Sequence, residues 1–174
     1  MSNEQVTVKV KNLKLTLKSS VAIFLVAIVL CQLTQYVAHC LGIELPEQEQ
    51  VNEVRKMAGW NLNFILLALQ IVTIMPALEE LIFRFPTRWL KSYIWWAAIS
   101  AIFSFAHYID FLAWANTGAF TLRPLSNAFI ALWFCGFAWC WLYRKTKHIW
   151  CTMLSHAIFN AVNLTLLFIL PEAV

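Results

Sequence analysis

Charged residues are scarce in this sequence. They make up 13% of its 174 residues, whereas 61% are hydrophobic and the mean hydropathy is +0.67. Soluble globular domains carry roughly 25% charged residues, so the composition excludes that class and indicates a membrane protein. The net charge of +4 does not indicate a nucleic-acid-binding protein, because the cations form short clusters between apolar runs instead of one exposed basic face.

Recognisable metal and disulfide motifs are also missing. The cysteines are odd in number and no two have the spacing of a metal-ligand pair, so they are interpreted as buried free thiols. There is no H-E-x-x-H motif. No small-x-small cleavage site follows the first apolar run, which is therefore interpreted as a retained membrane anchor. The cysteines are Cys31, Cys40, Cys135, Cys140 and Cys151.

Long apolar runs dominate what is present. Five of them are long enough to cross a hydrocarbon core of about 30 Å, and they predict an all-α, polytopic transmembrane helix bundle. The chain divides into a basic cytoplasmic arm at residues 1–20 and a membrane domain at 21–174. The partly apolar stretch 110–124 could be an interfacial or a re-entrant connection. The predicted segments are residues 21–40, 60–85, 93–109, 125–143 and 149–170.

The cations predict the orientation in the membrane. With the N-terminus in the cytoplasm, only Arg55, Lys56 and Arg123 lie away from the cytoplasmic side, as the positive-inside rule favours. We therefore expect an integral protein of the plasma (inner) membrane, surrounded by lipid bilayer, with its C-terminus outside. The cations assigned to the cytoplasmic side or its boundary are Lys9, Lys11, Lys14, Lys18, Arg84, Arg88, Lys91, Arg144, Lys145 and Lys147.

Ionisable residues inside the apolar runs form three clusters. Each such residue costs about 2.5–3.5 kcal/mol at membrane depth, so it persists where it is paired or where it acts. On a helix, Glu80 and Arg84 lie at i,i+4 and could form a pair. Glu79 points about 100° away and has no local partner. The other two clusters, also spaced i,i+4, are Phe103 with His107 and His156 with Asn160.

These residue types suit hydrolysis without a covalent intermediate. A carboxylate could take a proton from water, an imidazole could orient that water, and polar donors could stabilise the oxyanion. Ser104 and Ser155 are the weaker candidates for a nucleophile. Each histidine could instead be a helix-packing donor, and the Glu80–Arg84 pair could be structural. Two other functions stay open: a non-catalytic membrane immunity or peptide-binding protein, and a small transporter or proton relay, which the lack of repeat symmetry disfavours.

The three motifs resemble those of the CPBP (CAAX protease and bacteriocin-processing, Abi) intramembrane proteases. They occur here in the same order, as Glu79-Glu80-x-x-x-Arg84, Phe103-x-x-x-His107 and His156-x-x-x-Asn160. The family usually has glycine after the arginine, where this chain has Phe85. The resemblance implies an all-helical fold with a catalytic core over about residues 60–170, acting on a membrane protein or peptide. Prenylation of that substrate and the oligomeric state stay open.

The resemblance also implies a role for each residue. Glu79 would activate water, His107 would help to position it, and His156 with Asn160 would stabilise the oxyanion. The supporting residues would be Glu80, Arg84 and Phe103. If zinc were present, Glu79, His107 and His156 could hold it with an open water position. A reaction without metal or other cofactor is favoured, because asparagine is a poor zinc ligand and a good oxyanion donor.

The predicted depths conflict with a shared site. Glu79 and His156 lie near the cytoplasmic ends of their segments, whereas His107 lies about 21 Å along segment three, counted from Tyr93. For the three to meet, either segment three is strongly tilted or the 85–93 connector does not reach the assigned surface.

Overall fold

The computed structural model describes residues 3–46, 51, 54–56 and 61–169, and within these ranges the prediction of an all-α fold is confirmed. An isolated β-bridge joins Ile109 to Leu122, and the described residues form no strand. The α-helices whose bounds lie within the described residues are α1 (Asn3–Cys40), α2 (Leu62–Leu69), α3 (Met75–Phe83), α4 (Tyr93–Ala106), α5 (Phe111–Thr117), α6 (Phe129–Thr146) and α7 (Ile149–Ile169).

Each of the five predicted segments contains a helix, and three helical stretches are long and apolar enough to cross a membrane. These are Gln5–Cys40, Leu62–Phe83 and Ile149–Leu167. The other two segments correspond to α4 and α6. The 14 residues of α4 span about 21 Å, less than the hydrocarbon core. The predicted segment ends at residues 60 and 170 lie outside the described ranges.

The basic arm and the first apolar segment form one uninterrupted helix, α1. No proline or glycine occurs between Asn3 and Cys40, so nothing in the sequence breaks the helix where the arm meets the apolar run. The helix ends at Cys40, and Gly42 follows it with a φ of 70°, the left-handed conformation typical of the residue after a helix. There the amide of Ile43 donates to the carbonyl of Ala38 at 2.9 Å.

The second predicted segment is a helix with an irregular turn in its middle. It begins where the side chain of Asn61 caps the amide of Phe64 at 2.9 Å. Residues Gln70–Ile74 form a π-turn between α2 and α3. We expected Pro86 to end this helix, and α3 does end just before it, at Phe83, with a 3₁₀ turn over Phe85–Arg88.

Most of the cations that were used to predict the membrane orientation lie at one end of the bundle. The side-chain amide of Asn12 donates to the carbonyl of Thr146 at 3.4 Å, which places the lysines of α1 beside the end of α6. Arg88, Arg144 and Lys147 line one cleft of about 320 Å³ at that end. Arg84 is the exception. Its side chain is 0% exposed, so it lies inside the bundle and is not part of this exposed group of cations.

The bundle core lies where α1, α4, α6 and α7 meet. It is built on Ile23 and Ala27 of α1, Phe103 of α4, and Ala131, Cys135, Trp139 and Leu142 of α6. Helices α4 and α6 approach each other closely at Gly136. A Cβ added there would lie 3.0 Å from the Cβ of Ser100 and 3.1 Å from Cδ1 of Phe103. A small residue at this point lets α4 and α6 pack closely, as is common between membrane helices.

Gly136→Val should therefore separate α4 from α6. We expect a loss of about 1–3 kcal/mol of stability, the usual cost of overpacking, measured by thermal unfolding of the detergent-purified protein. Ala101→Val is the matched control, because Ala101 lies on the exposed side of α4. Equal melting temperatures for the two variants would contradict the close approach at Gly136.

The connection between α4 and α6, which contains α5, is held by contacts between its two ends. The amide of Arg123 donates to the carbonyl of Tyr108 at 2.8 Å, and the guanidinium of Arg123 lies 3.7 Å from the carboxylate of Asp110. The hydroxyls of Tyr108 and Ser126 are 2.8 Å apart. These contacts fix the end of α4, where His107 is located, against the start of α6.

Candidate active site

A buried chain of ionisable side chains links α3 to α7. One carboxylate oxygen of Glu80 lies 3.0 Å from Nδ1 of His156, and the other lies 3.5 Å from Nε of Arg84. The side chains of Glu80 and Arg84 are both 0% exposed. The predicted i,i+4 contact is therefore present, although 3.5 Å is an ion-pair distance and not a good hydrogen bond. Because Nδ1 of His156 faces a carboxylate, this nitrogen carries a proton and Nε2 faces away from Glu80.

Glu79 meets the other side of the same imidazole. Its carboxylate lies 3.6 Å from Nε2 of His156, and its side chain is 19% exposed, in contrast to the closed environment of Glu80. Glu79 thus has a partner on another helix, as the lack of a partner on its own helix led us to expect. The contact is longer than a hydrogen bond, so the carboxylate is not tied to His156 as firmly as Glu80 is.

The guanidinium of Arg84 lies in an aromatic cage. It is 4.3 Å from the ring centroid of Phe103, 5.7 Å from that of Trp139 and 5.9 Å from that of Phe83. Within the described part of the chain, its three nitrogens make no hydrogen bond. Cation–π contacts and the charge of Glu80 therefore stabilise it. This arrangement gives Phe103 a concrete supporting position beneath the site.

His107 reaches the site from the end of α4. Its Nδ1 lies 2.9 Å from the carbonyl of Phe103, and its ring packs edge-on against that of Phe103 at 4.7 Å. A nitrogen facing a carbonyl must donate, so Nε2 is the proton-accepting nitrogen. The ring of His156 packs against the same Phe103 ring, with centroids 6.1 Å apart. The two histidines therefore meet at Phe103, and Glu79 contacts the second of them, His156.

The position of the end of α3 accounts for the conflict in depth. The ring of Phe83, the last residue of α3, lies 5.3 Å from that of Phe103, and the guanidinium of Arg84 lies 4.3 Å from the same ring. The end of α3 therefore lies beside Phe103, one turn before His107, and not at the level of Tyr93. Counting from Tyr93 placed the end of segment two and the start of segment three at the same depth, which is why Glu79 and His107 seemed too far apart.

Asn160 lies one turn beyond His156 on α7. Its side-chain nitrogen donates to the carbonyl of Ile71, in the π-turn, at 2.9 Å. An amide nitrogen has two hydrogens, so one N–H is engaged by the helix that carries Glu79, and a second remains for another acceptor.

Burial separates most of the predicted catalytic residues from the supporting ones. Glu79, His107 and Asn160 are partly exposed, whereas Glu80, Arg84 and Phe103 are fully buried. His156, at 3% exposed, lies between the two groups and contacts both glutamates. The accessible residues thus rest on a buried layer that holds them in place.

Sequence reasoning missed Trp139 and Ser20 as contributors to this layer. The ring of Trp139 stacks on that of His156 at 4.0 Å and 21°, and its indole N–H donates to Oγ of Ser155 at 3.1 Å. Oγ of Ser20, on α1, lies 3.0 Å from the same oxygen. Thr16 and Ser20, spaced i,i+4 within α1, were the only available signal for this polar face. Ser155 is thereby engaged in packing, as is Ser104, which donates to the carbonyl of Phe129 at 2.7 Å.

The donor set does not fit zinc well. Both ring nitrogens of His156 face carboxylates, and Nδ1 of His107 faces a carbonyl. Across residues 3–46, 51, 54–56 and 61–169, no three His, Cys, Asp or Glu side chains are grouped as metal ligands. We therefore derive no chemistry through a metal.

Residues 61–162 match the family described as type II CAAX prenyl endopeptidase Rce1-like. This span is more than half of the chain, and it contains all three motifs. The chain belongs to this Rce1-like family. Searches of curated proteins and of solved structures return no match.

Membership in the Rce1-like family agrees with the CAAX-protease resemblance drawn from the motifs. It supports an intramembrane CAAX-type endopeptidase in general, and with the apolar helices it supports an integral membrane protein. A membrane protease of this kind implies a lipid bilayer and a membrane-embedded peptide substrate. The Rce1-like match begins at residue 61, so α1 lies outside it.

Proposed function

We propose that this chain hydrolyses a peptide bond of a membrane-associated protein or peptide, with Glu79 as the general base. The observation that carries the proposal is the position of Glu79. It is the more exposed of two adjacent carboxylates, and it lies beside two histidines, one of which is held by the buried carboxylate of Glu80. General bases require such a partly accessible position within reach of water.

In the proposed reaction, a water lies between Glu79 and His107. The Glu79 carboxylate takes one proton while the water oxygen attacks the carbonyl carbon of the substrate, and Nε2 of His107 orients the water by accepting its other hydrogen. The carbonyl oxygen becomes an oxyanion. Glu79 then gives its proton to the leaving nitrogen as the C–N bond breaks. The direct products are a carboxylic acid, which carries the second hydrogen of the water, and an amine. The acid then loses that proton to the solvent.

His156 and Asn160 are the proposed oxyanion donors. With a proton on each ring nitrogen, His156 would donate from Nδ1 to Glu80 and from Nε2 to the developing charge. Asn160 supplies the N–H not used by Ile71. Donors held in place before the reaction are effective because they need no reorganisation in the transition state.

The shared cationic end supports a cytoplasmic N-terminus. Lys9, Lys11 and Lys14 lie within a turn of Asn12 and therefore near Arg144. We propose that this end faces the cytoplasm of the plasma (inner) membrane, as the positive-inside rule favours.

The function is tested by cataloguing protein N-termini in membranes that contain either wild-type protein or Glu79→Gln. We expect at least one cleaved N-terminus to disappear in the variant and the corresponding uncut protein to accumulate. Identical catalogues would refute the proposal. A wild-type sample dialysed against a metal chelator should keep its activity, and loss that is restored by zinc would overturn the metal-free mechanism.

A further inference from the structure

The π-turn leaves one backbone carbonyl without a donor from its own helix. In a regular α-helix, the amide of Met75 would donate to Ile71, four residues earlier. Here it donates to Gln70, five residues earlier. The next bond of that wider pattern would run from residue 76 to Ile71, but residue 76 is proline and has no N–H. Neither residue 75 nor residue 76 therefore donates a backbone hydrogen bond to the Ile71 carbonyl.

Asn160 supplies the missing donor. Its amide donates to the Ile71 carbonyl at 2.9 Å, and Pro76 is fully buried beside this contact. An unpaired carbonyl away from water is destabilising, so the bond to Asn160 removes a defect of the helix. π-turns occur often at functional sites. This one lies less than two turns before Glu79.

We infer that Pro76 is a positioning residue for Asn160. By removing the backbone N–H, it keeps the Ile71 carbonyl open for the Asn160 side chain. With one amide hydrogen held, the Asn160 side chain has a fixed rotation, and its second hydrogen points at a constant place beside His156. The inference rests on the proposed function for its catalytic meaning, but the Pro76–Ile71–Asn160 link can be tested without it.

The activity test uses Pro76→Ala in lipid nanodiscs with a substrate found in the N-terminus catalogue. The new N–H of residue 76 can donate to the Ile71 carbonyl and competes there with Asn160, whose amide is then held less firmly. We expect kcat to fall about tenfold with KM unchanged, less than the 10²–10³-fold typical of losing an oxyanion donor altogether. In an Asn160→Ala background, Pro76→Ala should have no further effect. If the loss of kcat in the double variant equalled the product of the two single losses, the inference would be overturned.

A merely structural role predicts different results. Proline is far less favourable than alanine in a helix interior, so Pro76→Ala should not lower the melting temperature while kcat falls. Pro76→Ser restores the same N–H with another side chain and should act in the same direction. Pro86→Ala is the control, because Pro86 belongs to the 3₁₀ turn and should leave kcat unchanged. Equal effects of the two alanine variants would contradict a specific role of Pro76.

A spectroscopic readout separates this inference from the proposed function. With ¹⁵N-asparagine labelling, the side-chain resonances of Asn160, assigned by their loss in Asn160→Ala, should shift in Pro76→Ala and stay in place in Pro86→Ala. An unchanged resonance overturns the link, whatever the activity. If Glu79→Gln alters no cleavage but the resonance shifts, the proposed function fails and the link stands. A shifted resonance with wild-type kcat overturns the positioning role.

Discussion

Glu79→Gln is expected to abolish hydrolysis while the bundle stays folded. The amide cannot take a proton from water, and a general base contributes about 10²–10⁴-fold to the rate. Because Glu79 is partly exposed and lies 3.6 Å from His156, its charge contributes little to the fold. We expect kcat to fall by that factor in nanodiscs, with a change in melting temperature no larger than that of an ordinary surface substitution.

Glu80→Gln is the matched control, since it makes the same chemical change one residue later. It leaves the buried guanidinium of Arg84 without its counter-charge, so the melting temperature should fall clearly. The two variants therefore separate a loss of hydrolysis from a loss of stability. A Glu79→Gln protein that hydrolyses at the wild-type rate, or melts as early as Glu80→Gln, would contradict the assignment.

Arg84→Met should have the largest effect on stability. Removing one partner of a buried ion pair costs about 3–5 kcal/mol, because the remaining charge is uncompensated. Here the remaining charge is Glu80, which is 0% exposed and also holds His156. We expect a strongly lowered melting temperature, measured by tryptophan fluorescence of the detergent-purified protein.

Two further variants show whether the charge causes that loss. In Glu80→Gln/Arg84→Met both charges are removed, and the stability should return most of the way to wild type, as for other buried pairs replaced together. Arg88→Met makes the same change on the exposed side of the 3₁₀ turn and should stay within about 0.5 kcal/mol of wild type. A double variant no more stable than Arg84→Met would show that the cage of aromatic rings, and not the charge, is decisive.

The sequence predicted the local part of the site well. The i,i+4 spacing of Glu80 and Arg84 predicted their contact, and the missing local partner of Glu79 predicted a contact from another helix. Hydropathy placed a helix in each segment, because burial in lipid requires long apolar helices. Whether Glu79, His107, His156 and Asn160 act as proposed stays a prediction.

The parts that could not be predicted are contacts between distant helices. Nothing in the spacing of the motifs showed that one imidazole meets both glutamates, or that Trp139 stacks on it. Arg84 was counted with the cations at the cytoplasmic boundary because it lies near a segment end, and that position did not predict its complete burial. The side chain points back into the bundle, toward Glu80, and periodicity alone does not give that direction.

The contact of α1 with Ser155 has a practical consequence for dividing this protein. The family match begins at residue 61, yet Ser20 and the core residues Ile23 and Ala27 of α1 pack against the helices that carry the site. The unit defined by sequence similarity is therefore smaller than the unit that folds. A fragment cut at the similarity boundary would expose Trp139 and Ser155. Chimeras between relatives should therefore exchange α1 together with α6 and α7.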